Sequence, residues 1–167
     1  MSKIIENLDA LYNNPFLLTP IIVRFYEKYE GKQQKDFLLS YLVLPIVLYE
    51  GSKSSLLTKK KELRTFINYS QKKDIEKNKL EIKKNEKLFG LPLRVEEYKE
   101  ITNICLQYAF DLGCLQLNED LSIKFLEYKF KKDNSLVENL KVAENFAVVL
   151  KKEKITHVFM RLGIKRI

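Results

Sequence analysis

The sequence predicts a mainly α-helical (α+β) fold, with a helical N-terminal part, a winged-helix-like unit containing one β-hairpin, and C-terminal covering helices. Three observations predict it. Apolar residues recur at helical spacing through almost every segment; the period changes once, from 3.6 to 2, between Leu115 and Phe125; and Gly or Pro punctuates the boundaries. With 167 residues, 46% of them hydrophobic and 31% charged, a folded chain buries roughly 70% of the surface that its unfolded form exposes. The pattern divides into an N-terminal helical region, 1–57, and a winged-helix-like region with C-terminal helices, 58–167, packed as one compact unit.

Taken in order, Ile4 to Tyr12 carries apolar residues at helical spacing, and Asn14-Pro15 then offers an N-cap followed by proline at the first helical position. A helix from Pro15 to about Glu30 follows, bent near its start by Pro20 and stopped by Gly31. Asp36 caps the next helix, Phe37 to Tyr49, which is apolar nearly all round, is kinked by Pro45 and forms the centre of the N-terminal core. Gly51 to Ser55 reads as a polar, flexible break, after which Thr58 opens a helix carrying Leu63, Phe66 and Ile67. A further helix covers Asp74 to Phe89, with Ile75, Ile82 and Phe89 on one seam spaced by sevens.

Gly90, Leu91 and Pro92 make a short break. Val95, Tyr98, Ile101, Thr102, Cys105, Ala109 and Leu112 then share one stripe, which predicts an amphipathic helix ending at Gly113. Leu115 and Leu117 alternate with polar residues, Asn118 to Asp120 supply a turn, and Leu121, Ile123 and Phe125 alternate again, which predicts a hairpin near residues 114 to 126. Leu136, Leu140, Ala143, Ala147 and Leu150 mark a long helix able to cover the hairpin or the bundle, and Ile155 to Leu162 a short last one stopped by Gly163. From Lys60 to Phe125 the order of helices, break, helix and hairpin is that of a winged helix, and it also suits an ordinary α+β domain.

The formal net charge is +8, and it is unevenly placed. Lys53 to Lys87 holds 12 basic residues against 5 acidic ones, so the rest of the chain is close to neutral. Within this run Lys72, Lys73, Lys77, Lys83, Lys84 and Lys87 are the candidate contacts to phosphate or to an acidic partner; the same charges also serve as a plain solubilising face. Lysines without interleaved aromatic or Gly-rich elements signal nucleic acid only weakly.

Catalytic chemistry finds little to work with. Two Cys and one His cannot form a zinc site of Cys and His ligands or a disulfide framework; Cys105 and Cys114 read as small apolar residues in a reducing cytoplasm, and His157 as a packed or surface residue. There is no acidic cluster spaced for two metals and no Gly-rich phosphate loop, so the expectation is a non-enzyme without cofactor or metal. Met1 to Glu6 runs into an acid-bearing helical pattern rather than a signal peptide, and Phe37 to Tyr49 is shorter than the ~20 residues of a membrane span. Both point to the cytoplasm and away from membranes.

A DNA-reading winged helix places the helix before its wing in the major groove. Here that helix offers Glu96, Glu97, Glu100 and Asp111 against one Lys99, and the wing tip adds Glu119 and Asp120. Like charge repels it from DNA. A winged-helix DNA-binding transcription regulator is therefore the second reading, and protein contact the first.

Three segments carry a resemblance. Asn14-Pro15-Phe16-Leu17-Leu18 through Arg24-Phe25, and Leu42-Val43-Leu44-Pro45-Ile46-Val47-Leu48 followed by Tyr49, resemble the N-terminal signatures of the middle component of bacterial ABC three-component systems. The closing Val158-Phe159-Met160-Arg161-Leu162-Gly163-Ile164-Lys165 is similar to the Leu-Gly-Ile end of that family, so the likeness covers nearly the whole chain. Departures are Tyr49, where a histidine is frequent, and the Arg166-Ile167 ending, where a proline is common. The resemblance implies a non-enzymatic adaptor of a Lamassu-type anti-phage defence complex. It would sit between an SMC-like or Rad50-like ABC ATPase that senses foreign DNA and a toxic effector such as a nuclease, with non-specific DNA contact made through the complex.

Overall fold

The computed structural model describes residues 13–29, 33–58, 62–67 and 88–166. Among them are eight α-helices and a single two-stranded antiparallel hairpin, so the fold is mostly helical with one small β element, as the periodicity predicts. The helices are α1 (Pro15–Lys28), α2 (Ser40–Val47), α3 (Glu50–Leu57), α4 (Leu63–Ile67), α5 (Leu91–Glu97), α6 (Lys99–Asp111), α7 (Val137–Leu150) and α8 (Ile155–Arg161), with β1 (Leu115–Leu117) and β2 (Ile123–Phe125) between α6 and α7. The predicted Ile4 to Tyr12 helix, the Gly31 stop and most of the Asp74 to Phe89 helix lie outside the described residues.

Helix α1 starts as its sequence dictates. The Asn14 side chain accepts a hydrogen bond from Phe16 N at 3.0 Å, and Pro15 takes the first position, where no N–H is needed. Ile21, Ile22, Val23 and Phe25 are fully buried because α1 lies between α6 and α7 and also touches α2 and β2.

Helix α2 differs from the single helix expected over Phe37 to Tyr49. Asp36–Leu39 forms a 3-10 turn, the α-helix runs only from Ser40 to Val47, and Tyr49 is extended. Leu42 to Val47 is buried throughout, whereas Phe37, Leu38, Tyr41, Leu48 and Tyr49 are half-buried.

Two further expectations are corrected. Gly51 to Ser55 is helical, inside α3, because buried Ser52 turns its hydroxyl back onto the Ile46 carbonyl at 2.5 Å and Ser55 and Leu56 pack inward. Thr58 ends that helix instead of opening the next: its backbone is extended and its hydroxyl donates to the Ser55 carbonyl at 2.8 Å.

The Val95 to Leu112 stripe is also not one rod. It breaks at Tyr98 into α5 and α6, and α5 begins at Leu91, with Gly90 before it in the left-handed region (φ +65°) and Pro92 in its first turn. Gly113 (φ +67°) and Gly163 (φ +72°) stop α6 and α8 where the sequence places the stops.

The hairpin pairs Leu115 with Phe125, Gln116 with Lys124 and Leu117 with Ile123. Its inner face buries Leu115 and Ile123. Leu121 belongs to the turn, not to the strand: its φ is +61°, and its N–H meets the Asn118 carbonyl.

Of the two places open to the long C-terminal helix, α7 takes the bundle. It lies along α1 and α3, its Phe146 ring 5.7 Å from Phe25 and 6.3 Å from Phe66. Buried Asn145 donates to the Leu56 carbonyl at 2.7 Å, which satisfies the backbone at the end of α3. One hydrophobic cluster thus takes residues from every helix and from the hairpin.

Candidate interaction surfaces

Among the described residues no group of three or more His, Cys, Asp or Glu could hold a metal ion. Cys105 and Cys114 are buried free thiols; burial pushes the Cys105 thiol up to about 11, opposed by the Thr19 hydroxyl, so it stays protonated and apolar. His157 is exposed on α8.

The first surface is acidic and partly apolar. Residues 88–120 contain six acidic and two basic residues, and Glu96, Glu97, Glu100, Asp111, Glu119 and Asp120 are all exposed. At the turn, hydrogen bonds from the Ser122 hydroxyl and backbone N–H hold the Asp120 carboxyl below its ordinary value. Phe89 and Leu93 stand 66% and 65% exposed at one end of this face, and Ile104 lies on α6 between the carboxylates. Arg94 fixes α5 there: its Nε donates to the Pro45 carbonyl at 3.2 Å, another guanidinium N–H reaches the Phe89 carbonyl, and its plane lies 3.7 Å over the Tyr49 ring. The Leu-Val-Leu-Pro segment of α2 therefore serves as the seat for α5.

Lys72, Lys73, Lys77, Lys83, Lys84 and Lys87 lie outside the described residues. The described part carries a second basic surface that counting charge by long segments misses. Lys124 lies in β2, and from Leu126 to Lys132 the chain runs without regular structure; there its exposure alternates, with Tyr128 and Phe130 half-buried and Lys129 and Lys131 exposed. The legible signal is the interleaving of Phe125, Tyr128 and Phe130 with four lysines.

Tyr128 holds this strap to the bundle, with the Arg24 guanidinium 4.0 Å over its ring and Phe130 edge-on at 5.3 Å. Lys129 reaches back 2.8 Å to the Leu112 carbonyl and so meets the negative end of α6. Nearby acids are already engaged: Glu27 with Arg24 and Lys28, Glu144 with Arg24 and Lys141, Glu127 with Lys129.

A buried polar joint fixes the hairpin to the segment after α1. Asp36 is fully buried, and its Oδ1 accepts from Ile123 N at 2.7 Å. Beside it Lys35 N donates to the Asp120 carbonyl and Phe37 N to that of Leu121; Lys35 and Leu121 themselves are the two non-glycine residues of positive φ among those described. Tyr26 donates to the Asp36 carbonyl at 2.9 Å and lies 2.7 Å from the Ser40 hydroxyl. Burial pushes the Asp36 carboxyl up to about 6 against the pull of the Ile123 N–H, and it lifts the Tyr29 phenol to about 12 with Asp36 adding to the rise.

Compared with known protein families, residues 2–166 match the one described as ABC-three component (ABC-3C) system Middle Component 3. No curated protein and no solved structure matches the chain.

Proposed function

From the premise that this chain belongs to the family of ABC-three component system Middle Component 3, we propose that it is the non-enzymatic adaptor of a Lamassu-type anti-phage defence complex. It bridges an SMC-like or Rad50-like ABC ATPase that senses foreign DNA and a toxic effector such as a nuclease. The family match over residues 2–166 carries this reading, since a middle component works among partner subunits. The exposed Phe89 and Leu93, rimmed by the carboxylates of α5 and α6, support it as a surface suited to protein contact. Lys72, Lys73, Lys77, Lys83, Lys84 and Lys87 serve the same complex by meeting DNA phosphates or an acidic partner. A cytoplasmic location suits this role, and among the described residues no helix is long and apolar enough to cross a membrane.

A winged-helix DNA-binding regulator is the less favoured reading. The helix order α5, α6, hairpin is compatible with it, but the exposed Glu96, Glu97, Glu100 and Asp111 put negative charge where phosphates would approach.

The test is co-purification. Tagged chain expressed with its neighbouring genes is expected to recover an ABC ATPase and a third subunit at moderate salt. Recovery of neither, with tight sequence-specific binding of duplex DNA by the chain alone, would replace the adaptor by the regulator.

A further inference from the structure

We infer that the strap from Lys124 to Lys132 is a docking strip for the phosphate backbone of duplex DNA, separate from the lysines of residues 72–87. The strip lies on the chain itself, so the inference holds whichever subunits the protein joins.

Three features of the strap combine. Its lysines are exposed while Tyr128 and Phe130 pack inward, so the charges are presented on a backbone held against the bundle. Lys131 and Lys132 follow one another directly, while Lys129 is held back on the Leu112 carbonyl, so the strip offers its charge at Lys124 and at the Lys131–Lys132 pair. Finally, among the described residues Lys124, Lys131 and Lys132 make no ion pair, whereas Glu27, Glu127 and Glu144 are taken by Arg24, Lys28, Lys129 and Lys141. The free charge of the strip is therefore positive, with exposed Lys28 and Lys141 beside it.

The chemistry favours phosphate over a folded acidic partner. Lysines are point charges on flexible stems that impose no bidentate geometry, and a row of them suits a regular line of anions regardless of base sequence. Asp133 at the far end is turned to Ser135, whose N–H and hydroxyl it accepts, and so caps the start of the next helical turn.

The full chain would be titrated against fluorescent duplexes of two unrelated sequences over a range of salt. Wild-type protein is expected to bind both alike, more weakly as salt rises. Lys124→Glu, Lys131→Glu and Lys132→Glu together are expected to weaken binding by at least about tenfold and to flatten the salt slope by roughly 0.9 for each phosphate no longer neutralised. The matched control, Lys152→Glu with Lys154→Glu, lies past the end of α7 opposite to Lys132 and should retain binding within about twofold of wild type. If the triple reversal unfolds, the corresponding Gln changes provide the same reading. No binding by wild type, equal loss in strip and control variants, or unchanged binding after the strip changes would each overturn the inference. The same holds if the strip variants keep DNA but lose an acidic partner subunit. Failure of co-purification leaves this titration untouched, so the two readings fall separately.

Discussion

Asp36 shows how one buried charge is held and what it costs. The ordinary carboxyl value is 3.8, and burial in the joint raises it to about 6 in spite of the Ile123 N–H. Tyr26, Tyr29, Ser40 and, from the turn, Asp120 surround it, and none of them brings positive charge. Because the folded value is the higher one, the folded state holds the proton more tightly. The stabilising contribution is complete below about 4 and is lost as pH rises through about 6. Asp36→Asn keeps an oxygen acceptor for Ile123 N and removes the charge. Chemical denaturation is expected to show the variant gaining on wild type between pH 4 and 7 by no more than about 3 kcal/mol, from ~1.4 kcal/mol for each tenfold difference in proton affinity between the folded and unfolded chain. A difference that stays flat with pH would mean the carboxyl is not desolvated. Nothing in the sequence announces this joint: Asp36 reads as a plain helix cap, and its partner Ile123 lies 87 residues further along the chain.

At the scale of elements, what a short window controls was legible and what a distant partner controls was not. Asn14-Pro15, Gly113 and Gly163 act on their own neighbours, so their helix boundaries follow directly; the hairpin follows from its period alone. Gly51 to Ser55 looks like a break because serines and glycine favour one, yet α7 covers it and Ser52 finds the Ile46 carbonyl. The division of α5 from α6 at Tyr98 is likewise outside the stripe, since Arg94 must reach Pro45 and Tyr49. The candidate surfaces followed the same rule, as the acidic α5–α6 face is plain from its carboxylates whereas the strap needed the inward turn of Tyr128 and Phe130. Charge placement also separates the elements by experiment. Reversing Lys72, Lys77 and Lys84 to Glu is expected to weaken DNA engagement by the assembled complex about equally for every sequence, while Glu97→Ala with Glu100→Ala leaves it intact or slightly stronger. The opposite pattern in a gel-shift titration would assign α6 to the groove.

In the whole molecule α1 and α7, far apart in sequence, meet in the middle. Helix α1 lies against α7, Phe25 and Phe66 both approach Phe146, and Asn145 closes the end of α3, so residues on both sides of position 57 complete one another. Burying each large apolar side chain contributes about 1.5–3 kcal/mol, and a domain's net stability is only about 5–15 kcal/mol. A piece deprived of α7 loses Val142, Phe146, Val149 and Leu150 as covers at once, roughly 6–12 kcal/mol and so comparable to that whole margin. We therefore expect one cooperative thermal transition for the intact chain and none for residues 1–57 or 58–167 expressed alone, with mixing of the two restoring a single transition by circular dichroism. Two separated transitions in the intact protein would instead make position 57 a physical boundary, and the contacts of Phe25 and Asn145 would then be a docking of finished domains, not the formation of one core.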